Sequence, residues 1–260
     1  MNRSPAALAE PVEIIRSPLL GKVHHGFFGR RGGVSRGVVS GLNAGLGALD
    51  DGEAVAENRR IASATVLPGA ALVTPYQVHS ADAVIVDQPW ALDARPHADA
   101  LVTDRPGLLL GIVTADCAPV LLADKEAGVI GAAHAGWRGA FDGVIAATVE
   151  AMEKLGAQAG RIKAAIGPCI AQQSYEVDEA FRQRIGAAGD RFFAAGAAGH
   201  YQFDLEAFVA HRLAESGAAQ VEPLGLDTYG DAARFYSYRR ATHLGQQTYG
   251  RQISLIGLAD

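Results

Sequence analysis

Continuous apolar runs mark the middle of the chain, and helical spacing marks its flanks. Leu108-Leu109-Leu110-Gly111-Ile112-Val113 is apolar throughout, as a strand buried on both faces requires, and Pro119-Val120-Leu121-Leu122-Ala123-Asp124 repeats the pattern. Gly128-Val129-Ile130-Gly131-Ala132-Ala133 is a third such run, opened by a turn glycine. From about Ala140 to Leu155 the period changes: Ile145, Val149 and Met152 recur at helical spacing, and Gly156 stands where a C-terminal cap belongs. Further helices are predicted near Glu53–Thr65, near Val177–Ile185 and over Leu205–Glu215, the last with Asp204 as N-cap. Lys163–Gly167 and Gln252–Ile256 complete the predicted strands. The elements intermix without a regular βαβ rhythm, which predicts one α/β (α+β) domain with mixed β-sheets packed together and helices outside. Residues 1–11 are expected to be a frayed end, and residues 12–260 the single domain. Residues 29–47 are rich in Gly, Arg, Ser and Asn and read as turns.

Composition narrows the partners. The chain of 260 residues is 49% hydrophobic and 20% charged, as in an ordinary folded protein, and its net charge of −5 argues against nucleic-acid or anionic-membrane partners. Two cysteines, Cys117 and Cys169, point to a reducing compartment. The N-terminus lacks a signal-peptide apolar region and no run is long enough to span a membrane, so a cytoplasmic protein is expected.

Three segments carry metal-capable side chains: Tyr76-Gln77-Val78-His79-Ser80, Thr114-Ala115-Asp116-Cys117-Ala118-Pro119 and His134-Ala135-Gly136-Trp137-Arg138-Gly139. Two imidazoles and a thiolate match a catalytic zinc site with one open position, although their spacing is no local zinc signature. Inert burial of Cys117 and a hydrogen-bonded core histidine are the bland alternatives. Cys117 also reads as a nucleophile with His79 or His134 as base, and Asp116 as an orienting acid or a buried carboxylate holding amides. Arg31, Arg138 and Arg239 offer guanidinium forks suited to phosphate, against the plainer reading of solvated basic turns. Phe235, Tyr236 and Tyr238 are candidates to stack on a flat base, or simply core. Glu176 is a candidate general acid or base, or a solvated carboxylate at a helix start. Cys169, in a tight turn, reads as packing.

Taken in order, these stretches resemble the YfiH-like family, formerly described as polyphenol oxidase or laccase-domain proteins. The matching residues are Arg31-Gly32-Gly33-Val34-Ser35, Leu42-Asn43, Ala56-Glu57-Asn58-Arg59, Gln77-Val78-His79 and Ala98-Asp99-Ala100-Leu101-Val102-Thr103. They continue through Thr114-Ala115-Asp116-Cys117, His134-Ala135-Gly136-Trp137-Arg138-Gly139, Gly167-Pro168-Cys169-Ile170, Tyr175-Glu176-Val177 and Phe235-Tyr236-Ser237-Tyr238-Arg239-Arg240. The resemblance implies a Zn2+ site on His79, Cys117 and His134, with copper as the alternative ion. It also implies phosphorolysis of adenosine, inosine, guanosine and methylthioadenosine, plus adenosine deamination. Small-molecule nucleoside and phosphate are then the partners; Arg31, Asn43, Arg138 and Arg239 are the substrate-binding candidates, and Cys117, Glu176 and Asp116 the catalytic ones. The chain departs from the family's usual residues at Arg30, Gly41 and Asp227, none of them a ligand position. Two other activities stay open: a cysteine or metal hydrolase editing peptidoglycan precursors, and a copper polyphenol oxidase. The latter is poorly served by 8 histidines that stand singly apart from His24-His25.

Overall fold

A computed structural model describes residues 11–259, so the expected frayed end lies outside the described residues except for Pro11. Two mixed sheets pack face to face. One has five strands, in the order Ile14–Ile15, His24–Phe28, Gln252–Gly257, Leu108–Thr114 and Ala71–Val73. The other has six, in the order Gln220–Pro223, Lys163–Ile166, Ala118–Asp124, Val129–Ala135, Ala100–Thr103 and Ala83–Ile85. A small third sheet joins Glu176–Asp178, His200–Phe203 and Phe193–Ala195.

The apolar runs are explained by where their alternate side chains go. Along Ala118–Asp124, Val120 and Leu122 face the helices Val144–Lys154 and Leu205–Glu215, while Leu121 and Ala123 face the other sheet. Along Leu108–Thr114, Leu110 and Ile112 enter the space between the sheets, and Leu109 faces the outer layer with Ala62 and Val66 of helix Gly52–Val66. Both sheets are therefore covered on both faces, and each buried Leu contributes about 2 kcal/mol. Gly167 marks a close meeting of the layers, since a Cβ there would fall 2.1 Å from Phe27 Cδ1.

The mixed sheets and outer helices match expectation, as does Leu205–Glu215 with Asp204 accepting from the Ala207 amide. Two helices differ. The one expected from Ala140 to Leu155 is two, Trp137–Asp142 and Val144–Lys154, because Gly143 turns left-handed at φ 110 and its amide closes the first on Gly139. The one expected from Val177 starts later: Glu176–Asp178 is a strand, and Asp178 caps the helix Glu179–Ile185.

Candidate functional site

The consecutive strands Leu108–Thr114 and Ala118–Asp124 belong to different sheets, so the link Ala115-Asp116-Cys117 crosses between layers. Asp116 makes the turn at φ 83. Its carboxylate accepts from the Thr228 hydroxyl at 2.7 Å, the Ser237 hydroxyl at 2.9 Å and the Arg239 amide at 2.6 Å. Burial raises its pKa against those donors. The turn presents Cys117 to a cleft of about 600 Å³.

His134 reaches the same cleft from the end of strand Val129–Ala135, and His79 from a loop whose backbone is left-handed at φ 60. The ligand atoms of His79, Cys117 and His134 all lie within 4.8 Å of one another, with Cys117 Sγ 3.7 Å from His79 Nε2. Asp99 sets both imidazoles. Its Oδ1 lies 2.7 Å from His134 Nδ1, which leaves Nε2 of that ring for Cys117, and its Oδ2 accepts from the amides of Val78 and Ser80 on either side of His79.

Burial alone would raise the Cys117 thiol, but the adjoining His134 and His79 overcome it and bring the pKa down to about 6. Burial would likewise lower His134, but Cys117 and Asp99 outweigh it and raise the ring to about 9. Asp99 falls to about 2 despite burial, because His134 and the loop amides hold its charge. The thiolate is thus stabilised by a protonated His134 ring, and a metal ion would have to displace that proton, since a ligating imidazole is neutral. Room for such an ion depends on Gly136: a Cβ there would lie 2.9 Å from His79 Cδ2 and 3.0 Å from Cys117 Sγ. Two imidazoles and a thiolate around one space fit zinc, and the same donors can hold copper.

The other candidates lie elsewhere. Glu176 is exposed on its strand and does not line the cleft; its carbonyl accepts from Arg239 Nη1 at 2.9 Å. Arg239 is also held by its amide bond to Asp116 and spreads over Tyr175. Arg31 lies 3.7 Å from Glu13 and lines a separate cavity of about 260 Å³. Arg138 is exposed, its guanidinium 5.5 Å from the Trp137 ring. Asn43 is buried and holds Asp50 and the amides of Gly45 and Arg251. Phe235 and Tyr236 are core, whereas Tyr238 is exposed and lines the cleft.

The cleft contains groups the sequence reading did not assign: Arg59, Arg95 and Arg251, the aromatics Tyr76 and Tyr249, and behind its wall the carboxylate of Asp99. Arg59 and Asp99 were present in the family-matching stretches, the one signal that could have drawn them out. Arg95 and Arg251 had none.

Comparison with known proteins finds relatives along nearly the whole chain. A purine nucleoside phosphorylase of Streptomyces griseus is 41% identical over 244 residues, 93% of this chain and 97% of that protein. A purine nucleoside phosphorylase of Deinococcus radiodurans is 42% identical over 251 residues, 96% of this chain and 94% of that protein. Among solved structures, Neisseria meningitidis protein NMB0706 superposes with a TM-score of 0.85 at 31% identity, covering 96% of this chain and 99% of its own. Bacillus licheniformis YfiH superposes with a TM-score of 0.82 at 30% identity, covering 90% of this chain and 92% of its own. The description "multi-copper polyphenol oxidoreductase laccase" matches residues 24–259, and by that match and these relatives the chain belongs to this YfiH-like family.

Proposed function

We propose that the cleft is the active site of a zinc-dependent purine nucleoside phosphorylase acting on adenosine, inosine, guanosine and methylthioadenosine, with adenosine deamination as a second reaction. The observation that carries this reading is the convergence of His79, Cys117 and His134 on a cleft of about 600 Å³, in a chain whose relatives are named for that activity. In phosphorolysis a C1′–O bond to phosphate forms as the C1′–N bond to the purine breaks, and the proton carried by hydrogen phosphate ends on the base. His79, Cys117 and His134 would hold a divalent ion, which would supply Lewis acidity in the cleft. Asp99 fixes both imidazoles in place through His134 Nδ1 and the amides beside His79. Tyr76 and Tyr238 offer exposed rings for the base. Deamination converts adenosine and water to inosine and ammonia in the same cleft.

The laccase description asks for several copper centres. Among the described residues one group of three metal-capable side chains converges, which favours a single-ion site over multicopper chemistry. Both cysteines are free, in keeping with a reducing cytoplasm, and no helix among the described residues is long and apolar enough to cross a membrane. A second reading, a cysteine hydrolase acting on peptidoglycan precursors, has its support in the Cys117 thiol drawn down to about 6 beside two imidazoles.

The deciding experiment is metal analysis of the purified protein with a nucleoside panel, with and without phosphate, on wild type and His134→Ala. About one zinc per chain and phosphate-dependent release of free base, both lost in the variant, are expected. Base release without phosphate overturns phosphorolysis, and turnover of a peptidoglycan precursor that survives chelation establishes the hydrolase instead.

A further inference from the structure

We propose that Arg59, Arg95 and Arg251, with the Thr114 hydroxyl, form an oxyanion site in the cleft for a phosphate-type dianion, supplied as free orthophosphate or as the phosphate of a phosphorylated substrate. The proposal rests on the phosphorolytic reading above and gives its second substrate a place.

Positive charge collects in this cleft. The chain carries a net −5, yet the lining of this cleft contains three guanidinium groups and no carboxylate. Among the described residues none of the three makes an ion pair. Neutral groups hold each one in position without cancelling its charge. Arg59 Nε donates to the Ala44 carbonyl at 3.0 Å and Nη1 to the Thr74 hydroxyl at 3.4 Å. Arg95 Nε donates to the Leu92 carbonyl at 2.7 Å and Nη1 to the Pro75 carbonyl at 3.4 Å. Arg251 Nη2 donates to the Tyr249 phenol oxygen at 2.9 Å, with the guanidinium 4.5 Å from that ring's centre. Arg59 is only 8% exposed, and burial together with the charge of Arg95 pulls its pKa down to about 10. Like charges gathered and partly desolvated, none of them in an ion pair, are costly unless an anion completes them.

The cleft also holds unmet hydrogen-bond donors. Arg251 Nη1 and Thr114 Oγ1 are buried atoms with no partner, and both residues line the cleft. Buried polar groups are almost always paired, so two orphans in one cleft call for a ligand rich in acceptors. Phosphate oxygens accept from a guanidinium fork and a hydroxyl alike. Thr114 ends the strand that leads directly into the Cys117 turn, so the oxyanion floor and the triad are walls of a single cavity.

The test uses the metal-loaded enzyme, with orthophosphate and ribose 5-phosphate as separate titrants and phosphate and nucleoside kinetics alongside. Arg251→Met and Arg95→Met are the informative variants, because Arg59 also ties down the Ala44 carbonyl. Each is expected to raise the KM for phosphate about tenfold or more while the nucleoside KM stays within about twofold, with Arg251→Lys recovering part of the loss. Arg60→Met, next to Arg59 on the helix but paired with Glu57, is the control and leaves both unchanged. Thermal melts confirm folding of each variant. Phosphorolysis with an unaltered phosphate KM in Arg251→Met and Arg95→Met overturns the site, as does absence of binding by both titrants to wild type. Arginine-dependent phosphate binding without turnover of any nucleoside leaves the site standing and overturns the phosphorylase reading. Tighter binding of ribose 5-phosphate, lost in the same variants, assigns the anion to a phosphorylated substrate.

Discussion

Asp99 and His134 form a buried pair in which Oδ1 of the carboxylate lies 2.7 Å from Nδ1 of the ring. The same carboxylate holds the His79 loop through two amides and the Ser80 hydroxyl. Asp99→Asn keeps the shape but withdraws the charge that orients His134, so zinc affinity is expected to fall about 10–100-fold. Competition against a chelator of known affinity measures this, with far-UV circular dichroism to confirm the fold. Undiminished affinity in Asp99→Asn would show that His134 is oriented by packing alone.

Gly136 offers a way to disturb the triad without touching a ligand. Its φ of −68 is open to any residue, so Gly136→Ala carries no backbone penalty, yet the new methyl would stand 2.9 Å from His79 and 3.0 Å from Cys117. The clash is expected to push the two apart. Zinc content should drop well below about one per chain, while the melting temperature of metal-stripped protein stays near that of stripped wild type. A fully zinc-loaded Gly136→Ala variant refutes the crowding argument.

How much of this could be read from the chain differs by element. The central strands were legible because Leu121 and Leu122 face opposite buried layers, which a continuous apolar run reports. The crossover at Ala115-Asp116-Cys117 was not, since membership of two sheets depends on pairings with Gln252–Gly257 and Lys163–Ile166 far along the chain. Gly143 broke a helix whose apolar spacing continues across it. The triad was drawn from the family resemblance, because local spacing around His79, Cys117 and His134 identifies no ion. Side-chain direction decided the remainder: the Asp116 carboxylate meets Thr228, Ser237 and Arg239, and Arg251 enters the cleft from a segment without a distinguishing motif.

Acid stability should depend on Asp124, which closes the turn after its strand. It is buried, accepts from the amides of Gln158, Glu126 and Ala127, and pairs with Arg161 at 2.9 Å. Burial opposes the charge, but Arg161 and the amides of Gln158 and Ala127 prevail and hold the carboxyl below its usual range. A depressed folded-state pKa means the contribution is present above the unfolded value of about 4 and is lost as pH falls through the folded value. Asp124→Asn should therefore cost about 1–3 kcal/mol at neutral pH and lose less further stability than wild type between about pH 5 and pH 3. Urea midpoints across that range check it. Parallel acid limbs in the two proteins would place the acid sensitivity on other carboxylates.

Tyr76 separates recognition of the base from recognition of the anion. The ring is 49% exposed in the cleft, stacked on His97 at 4.7 Å, with the Arg95 guanidinium 5.4 Å from its centre. An aromatic surface already held by its neighbours loses little freedom when a flat ligand stacks on it, which is what a purine requires. Tyr76→Ala is expected to raise the nucleoside KM about fivefold or more and the phosphate KM by a smaller factor through the Arg95 guanidinium packed on the ring, the reverse of the Arg251→Met pattern. Tyr76→Phe should retain wild-type values, because stacking needs the ring and not the hydroxyl. If Tyr76→Ala is silent and Tyr238→Ala produces the effect, the base lies against the opposite aromatic pair, Tyr238 and Tyr249, whose ring centres are 5.1 Å apart.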